Sequence, residues 1–154
     1  MSFSGNVLTD NTEITITNDG WFPDLSMDEF LRDYRVPGDY AEDMVRSQLA
    51  LSVSEINDNL EGWRLDQEAA GYTNLTGIPA PVIDGISKHE RLYRRAVFCR
   101  AKAELLMQFA TMTRKDTAEN TAKEAPETED KFLQYSVSAQ RKLMGLTKFG
   151  VELL

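Results

Sequence analysis

The chain has 154 residues, 42% hydrophobic and 27% charged, which suits one soluble domain with a real core and leaves too little for two. Its formal charge of −8 argues against general affinity for nucleic acid, because phosphate binding needs a basic face, although it leaves room for a local basic stripe. No stretch approaches the roughly 18 apolar residues of a membrane span, and the first residues lack a charged-then-apolar signal pattern, so no membrane association and a cytosolic fate are expected.

Residues 1–20 are polar, rich in Asn, Thr, Asp and Gly, and read as an N-terminal arm. Within it Glu13-Ile14-Thr15-Ile16-Thr17 alternates with period two, which predicts a short strand. One short strand cannot stabilise itself, so it needs the C-terminal tail or another subunit as partner, or stays mobile. Trp21-Phe22, held ahead of Pro23, is either a core anchor or an interface anchor. Ser26-Met27-Asp28-Glu29 has the spacing of a capping box and predicts a helix to about Arg35, stopped by Pro37-Gly38. Asp39 is expected to cap the next one.

From Asp39 to Ala70 there is no proline, and Gly62 is the single internal glycine. Val45, Leu49, Ser52, Ile56, Leu60 and Trp63 recur at steps of three and four, predicting one helix of roughly 48 Å. Leu51, Val53 and Leu65 fall off that stripe, which predicts burial on more than one side, by the fold or by neighbouring subunits. Gly71 suits a left-handed helix end, and Pro79 and Pro81 stiffen the connection beyond it. Leu75, Ile78, Val82 and Ile83 predict that this connection packs onto the helices. A second capping box, Ser87-Lys88-His89-Glu90, opens a second long helix to about Thr113, apolar on much of its circumference.

Arg114 to Thr128 contains no large apolar residue and is expected to be an exposed, mobile loop. A last helix is predicted over about Glu129–Met144, with Phe132, Tyr135, Ser136, Ala139, Gln140 and Leu143 facing inward and Gly145 ending it. The terminal stretch carries Phe149, Val151, Leu153 and Leu154, whose burial is worth ~1.5–3 kcal/mol each, so it wants a partner surface. The expected fold is all-α, a helical bundle on two long antiparallel helices with a third C-terminal helix, plus extended N- and C-terminal arms. Its parts are the arm 1–20, a helical core 21–113, a mobile charged loop 114–128, a C-terminal helix 129–145 and a tail 146–154.

Catalytic chemistry finds no foothold. There is no Gly-rich phosphate loop, His-Glu-x-x-His pair or Cys-x-x-Cys. Cys99 lies in a helical pattern and reads as a small buried side chain. The lone histidine, His89, is ten residues earlier on the same predicted helix, about 15 Å away, so the two form no dyad. Glu42-Asp43 and Asp28-Glu29 are sequence neighbours and read as charges favourable to helix N-termini. No catalytic residue, cofactor or metal site is expected. Lys88, Arg91, Arg94, Arg95, Arg100 and Lys102 make the first half of the second long helix basic. They are either a solvated face pairing with the acidic first long helix, or a contact for an acidic partner or DNA. Arg91, Arg95 and Lys102 share one face, while Arg94 and Arg100 point elsewhere.

Several of these pieces together resemble the head completion proteins of P2-type contractile-tailed bacteriophages, members of the head–tail connector group. The likeness lies in Trp21-Phe22-Pro23-Asp24, Gln67-Glu68-Ala69-Ala70-Gly71-Tyr72, Ile78-Pro79, Ile83-Asp84-Gly85 and Tyr93-Arg94-Arg95-Ala96-Val97, in order over residues 21 to 112. The resemblance implies a structural subunit, not an enzyme, in a ring of about twelve copies beneath the portal protein. Such a ring would extend the DNA channel, help to retain the genome, and present a surface for the tail terminator or a neck protein. It would sit in the virion neck after assembly in the host cytoplasm. Twelve copies at −8 would carry about −96, which favours sliding of nearby genomic DNA over sticking. On this reading Phe149, Val151, Leu153 and Leu154 meet the portal, as a strand added to its sheet. Arg91, Arg94, Arg95, Trp21 and Phe22 are candidates for subunit or partner contacts, and Leu51, Val53, Leu65, Phe98 and Leu106 for ring interfaces. Reversing the charges of Arg94 and Arg95 is then expected to weaken association more than monomer stability. The rival class is a helical DNA-binding packaging protein of the small-terminase kind, which would need basic and amide side chains at the exposed start of a recognition helix.

Overall fold

Ser26 opens the first helix as the capping box predicts, its side chain accepting from the Glu29 amide at 3.2 Å. In the computed structural model, which describes residues 13–113 and 125–146, this helix is α1, Met27–Asp33. The others are α2, Glu42–Ala69; α3, Lys88–Thr113; and α4, Ala125–Leu143. Two short antiparallel pairs complete the described residues, β1 (Thr15–Ile16) with β2 (Leu25–Ser26) and β3 (Val82–Ile83) with β4 (Ile86–Ser87). A 3-10 turn at Leu75–Gly77 lies between α2 and β3. The protein is mostly helical.

The α2 stripe is buried as its periodicity requires, through Val45, Leu49, Ser52, Ile56 and Leu60. Against it pack Tyr93, Val97, Ala101 and Leu105 of α3, and Ala139 and Leu143 of α4 bury into the same core. Gln48 bonds Gln108 at 2.8 Å, Glu55 pairs with Arg100 at 2.8 Å, and the Trp63 and His89 rings meet edge-on at 5.9 Å. The partner's number falls along α3 as it rises along α2. Where α4 crosses α3, the Ser136 hydroxyl donates to the Ala96 carbonyl at 2.7 Å, a close approach that the small side chains permit.

The N-terminal segment is tied in by a closed polar ring. Asn18 Nδ2 donates to the Tyr93 hydroxyl at 2.8 Å, that hydroxyl donates to Asn57 Oδ1, and Asn57 Nδ2 returns to Asn18 Oδ1 at 2.9 Å. Each member satisfies the next, so three elements are pinned without an orphaned polar group.

Several expectations need correction. The predicted first strand finds a partner that the sequence did not single out, Leu25–Ser26, with Ile16 opposite Leu25 and buried in the core. Asp39 does not cap α2. Tyr40 turns back on the Pro37 carbonyl at 3.3 Å and buries against Phe109, so the helix starts at Glu42 behind Ala41, which makes no side-chain cap. Of the apolar residues in the α2–α3 connection, Leu75 and Ile78 are buried, whereas Val82 and Ile83 are 65% and 69% exposed. Asp84 and Gly85, both at positive φ, fold that half into a tight hairpin that lifts its side chains off the helices. Val53 and Phe98 are core residues of this chain, not surface ones. Helix α4 begins at Ala125 rather than Glu129, since Pro126 is tolerated in a first turn. Tyr135, expected inward, is 44% exposed. Most of the expected mobile loop, residues 114–124, and the tail from 147 on lie outside the described residues.

His89 supplies a clean pH test, being the chain's single histidine. Burial, more than the nearby Lys88, lowers its pKa below the ordinary value. The folded form therefore resists protonation that the unfolded chain accepts. This stabilising contribution is complete above about pH 6.5 and falls away as the pH drops through the folded pKa. Urea midpoints of the His89→Gln variant should lose less between neutral and mildly acidic pH than those of the parent. Parallel profiles would contradict it.

Candidate functional site

Helix α3 begins where the Ser87 side chain accepts from the Glu90 amide at 3.2 Å, so its first two turns hold Arg91, Arg94 and Arg95 in fixed positions. Arg91 Nη2 donates to the Ile83 carbonyl at 2.7 Å and latches the β3–β4 hairpin to the helix. Arg94 bridges Glu29 of α1 at 3.2 Å and Glu90 at 2.5 Å. Arg95 lies over the Tyr135 ring of α4, 5.1 Å from its centroid. All three line a cleft of about 490 Å³ between α1, α3 and α4, with β4 at its edge. Tyr34, Phe98, Cys99 and Phe132 form its apolar wall, and Arg35 adds a fourth guanidinium.

The charges in the cleft do not cancel. Glu29 is taken by Arg94, and Asp33 by Arg32 at 2.9 Å. Among the described residues Arg35, Arg91 and Arg95 have no carboxylate partner, so the cleft is locally cationic in an acidic protein. Burial pushes the Tyr34 hydroxyl well above its usual range, with Cys99 adding to the shift, and pushes the Cys99 thiol up as well. Both stay protonated at neutral pH. The Cys99 sulfur is therefore a buried apolar group and not a thiolate nucleophile.

Arg100 and Lys102 are used within the chain, and the Arg100–Glu55 pair is of the kind the first of the two readings expects, a pairing with the first long helix. Arg100 joins Glu55 at 2.8 Å and Glu104 at 3.1 Å, and the Lys102 ammonium donates to the Arg35 carbonyl at 3.2 Å beyond the end of α1. Trp21 and Phe22 take their core reading, 5% and 2% exposed, with the Asp19 carboxylate accepting from both their amides at 2.9 and 3.0 Å. Arg64 covers the Trp21 ring and is held by Asp19 and Glu68. Phe149, Val151, Leu153 and Leu154 lie outside the described residues. Among the described residues no three His, Cys, Asp or Glu side chains gather as metal ligands, and no helix is long and apolar enough to cross a membrane. Sequence reasoning placed the three arginines but missed Glu29, Tyr34 and Arg35 as their neighbours. No local signal marks them, because the cleft exists only once α1 docks on α3.

Arg94 and Arg95 consequently differ. Arg94→Glu sets a third carboxylate beside Glu29 and Glu90 and should cost about 1.5–3 kcal/mol in urea unfolding, the scale of lost charged hydrogen bonds. Arg95→Glu, at an exposed position, should change stability by about 0.5 kcal/mol or less. Equal losses would refute the distinction.

The fold is that of a small, mostly helical protein with a cationic cleft and no metal-ligand cluster among the described residues. The chain belongs to the phage head completion protein (GPL) family, whose model matches residues 16–154. It is 28% identical over 145 residues to the "Probable head completion/stabilization protein" of Haemophilus phage HP1 (strain HP1c1), covering 94% of this chain and 95% of that relative. It is 32% identical over 97 residues to the "Head completion/stabilization protein" of Escherichia phage P2, covering 63% of this chain and 57% of that one. No solved structure matches it significantly.

Proposed function

We propose that this head completion protein is the head–tail connector of its particle. Copies assemble as a ring of twelve beneath the portal, prolong the DNA channel, help to retain the genome, and offer the surface to which the tail terminator or a neck protein joins. The observation that carries this reading is the family match along nearly the whole chain, residues 16–154. The role asks for a stiff spacer. The opposed order of the α2 and α3 contacts supports a frame of two long antiparallel helices, backed by α4. The core of residues 21–113 and the C-terminal helix to 145 carry the load, while the segment 114–128 and the tail from 146 serve partners.

In this reading Phe149, Val151, Leu153 and Leu154 meet the portal, Arg91 and Arg95 face a neighbouring copy, and the protein ends in the virion neck after assembly in the host cytoplasm. A DNA-packaging role is less well supported, because Arg94, Arg100 and Lys102 are engaged inside the chain, which leaves only Lys88, Arg91 and Arg95 as further cations in the basic half of α3. Imaging of purified necks tests the proposal. Density for this chain between portal and tail is expected. Particles built without it that hold their genomes and accept tails would end it.

A further inference from the structure

The outward face of α2 carries an unusual pattern. Leu51 and Leu65 are 65% and 56% exposed, and with Asp58 between them they repeat every seven residues, placing all three on one line of the helix. Ser54, Glu61 and Gly62 flank that line, on the side away from the buried stripe of Leu49, Val53, Ile56 and Leu60. Asp58 and Glu61 form no ion pair among the described residues, and the adjacent Arg64 is already held by Asp19 and Glu68. The face is therefore apolar and anionic at once. The cleft between α1, α3 and α4 is its complement, with the rings of Tyr34, Phe132 and Tyr135 among Arg35, Arg91 and Arg95, which have no carboxylate partner among the described residues.

We propose that the cleft of one copy receives the outer face of α2 from the next copy, with Leu65 seated against Phe132 and Tyr135, and Glu61 and Asp58 meeting Arg91 and Arg95. The two patches lie on different elements, so each copy offers one and fills the other. Such a heterologous contact does not close on itself as a two-fold pair but propagates to a ring or filament. Apolar centres rimmed by opposite charges supply both register and encounter rate. The inference rests on the ring reading above and names the surfaces that reading leaves open.

The test uses full-length chains with the portal protein present. Leu65→Cys and Tyr135→Cys chains are mixed and treated with a short bis-maleimide, and Cys99, 1% exposed, gives little background. Cross-linked pairs are expected in the mixture and not with either chain alone. Separately, Arg91→Glu/Arg95→Glu and Asp58→Lys/Glu61→Lys should each lower oligomer yield about tenfold or more through like-charge contact, and combining them in one chain should restore it. Circular dichroism confirms that each variant folds. Oligomers that survive both swaps and give no mixed cross-link overturn this interface and leave the ring standing. A cross-link between two Leu65→Cys chains overturns it in favour of a two-fold pair. Loss with the arginine swap alone means that something else fills the cleft, which also overturns it. If no oligomer forms even with portal, the ring and this interface fall together.

Discussion

Phe22→Ala should remove about 3–5 kcal/mol of stability, roughly a fifth or more of the ~5–15 kcal/mol that holds a typical domain. The ring is 2% exposed, stacks on Tyr93 at 4.7 Å, and takes the edge of Trp21 at 4.8 Å. Truncation leaves a void that these aromatics cannot close, because Tyr93 is held by Asn18 and Asn57 and Trp21 by Arg64 and the edge of Trp63. Urea unfolding followed by near-ultraviolet dichroism is the measurement, with Leu51→Ala as an exposed control expected within about 0.5 kcal/mol of the parent. An unchanged midpoint for Phe22→Ala, with assembly lost instead, would return this residue to the role of interface anchor.

Deleting residues 149–154 should do the opposite, leaving the helices intact while abolishing attachment to heads. Every buried residue described lies between Ile16 and Leu143. Helix α4 also ends on residues that the deletion keeps. Gly145 takes a positive φ of 75°, and the Leu146 amide closes on the Arg141 carbonyl at 2.8 Å. Dichroism and urea midpoints should therefore match the parent, whereas co-sedimentation with tailless heads should fall to background. Full attachment by the shortened chain would refute the portal role of Phe149, Val151, Leu153 and Leu154.

The two outcomes separate what the sequence could say from what it could not. Features closed within a turn or two were legible, such as the Ser26 and Ser87 caps, the left-handed ends at Gly71 and Gly145, and the buried stripe of α2. Cys99 as a buried helix residue was legible for the same reason. The β1–β2 pair escaped because its partner strand is two residues of ordinary composition lying directly before a helix cap. The hairpin had a signal in Asp84-Gly85, but Val82 and Ile83 were grouped with the buried Leu75 and Ile78 as one apolar set. The cleft had none. Glu29 and Arg94 are 65 positions apart, and Arg95 meets Tyr135 only after α4 has folded back along α3.

The Asn18–Tyr93–Asn57 ring also constrains how the chain is made. Asn18 finds the Tyr93 hydroxyl 75 residues downstream, so at translation rates of ~5–20 residues per second the nascent N-terminus waits about 4–15 s for its lock. Through that interval Trp21 and Phe22 have neither Tyr93 nor the rest of α3 to cover them. Slowing synthesis between the codons for Asn57 and Tyr93 would lengthen the exposure of these two rings.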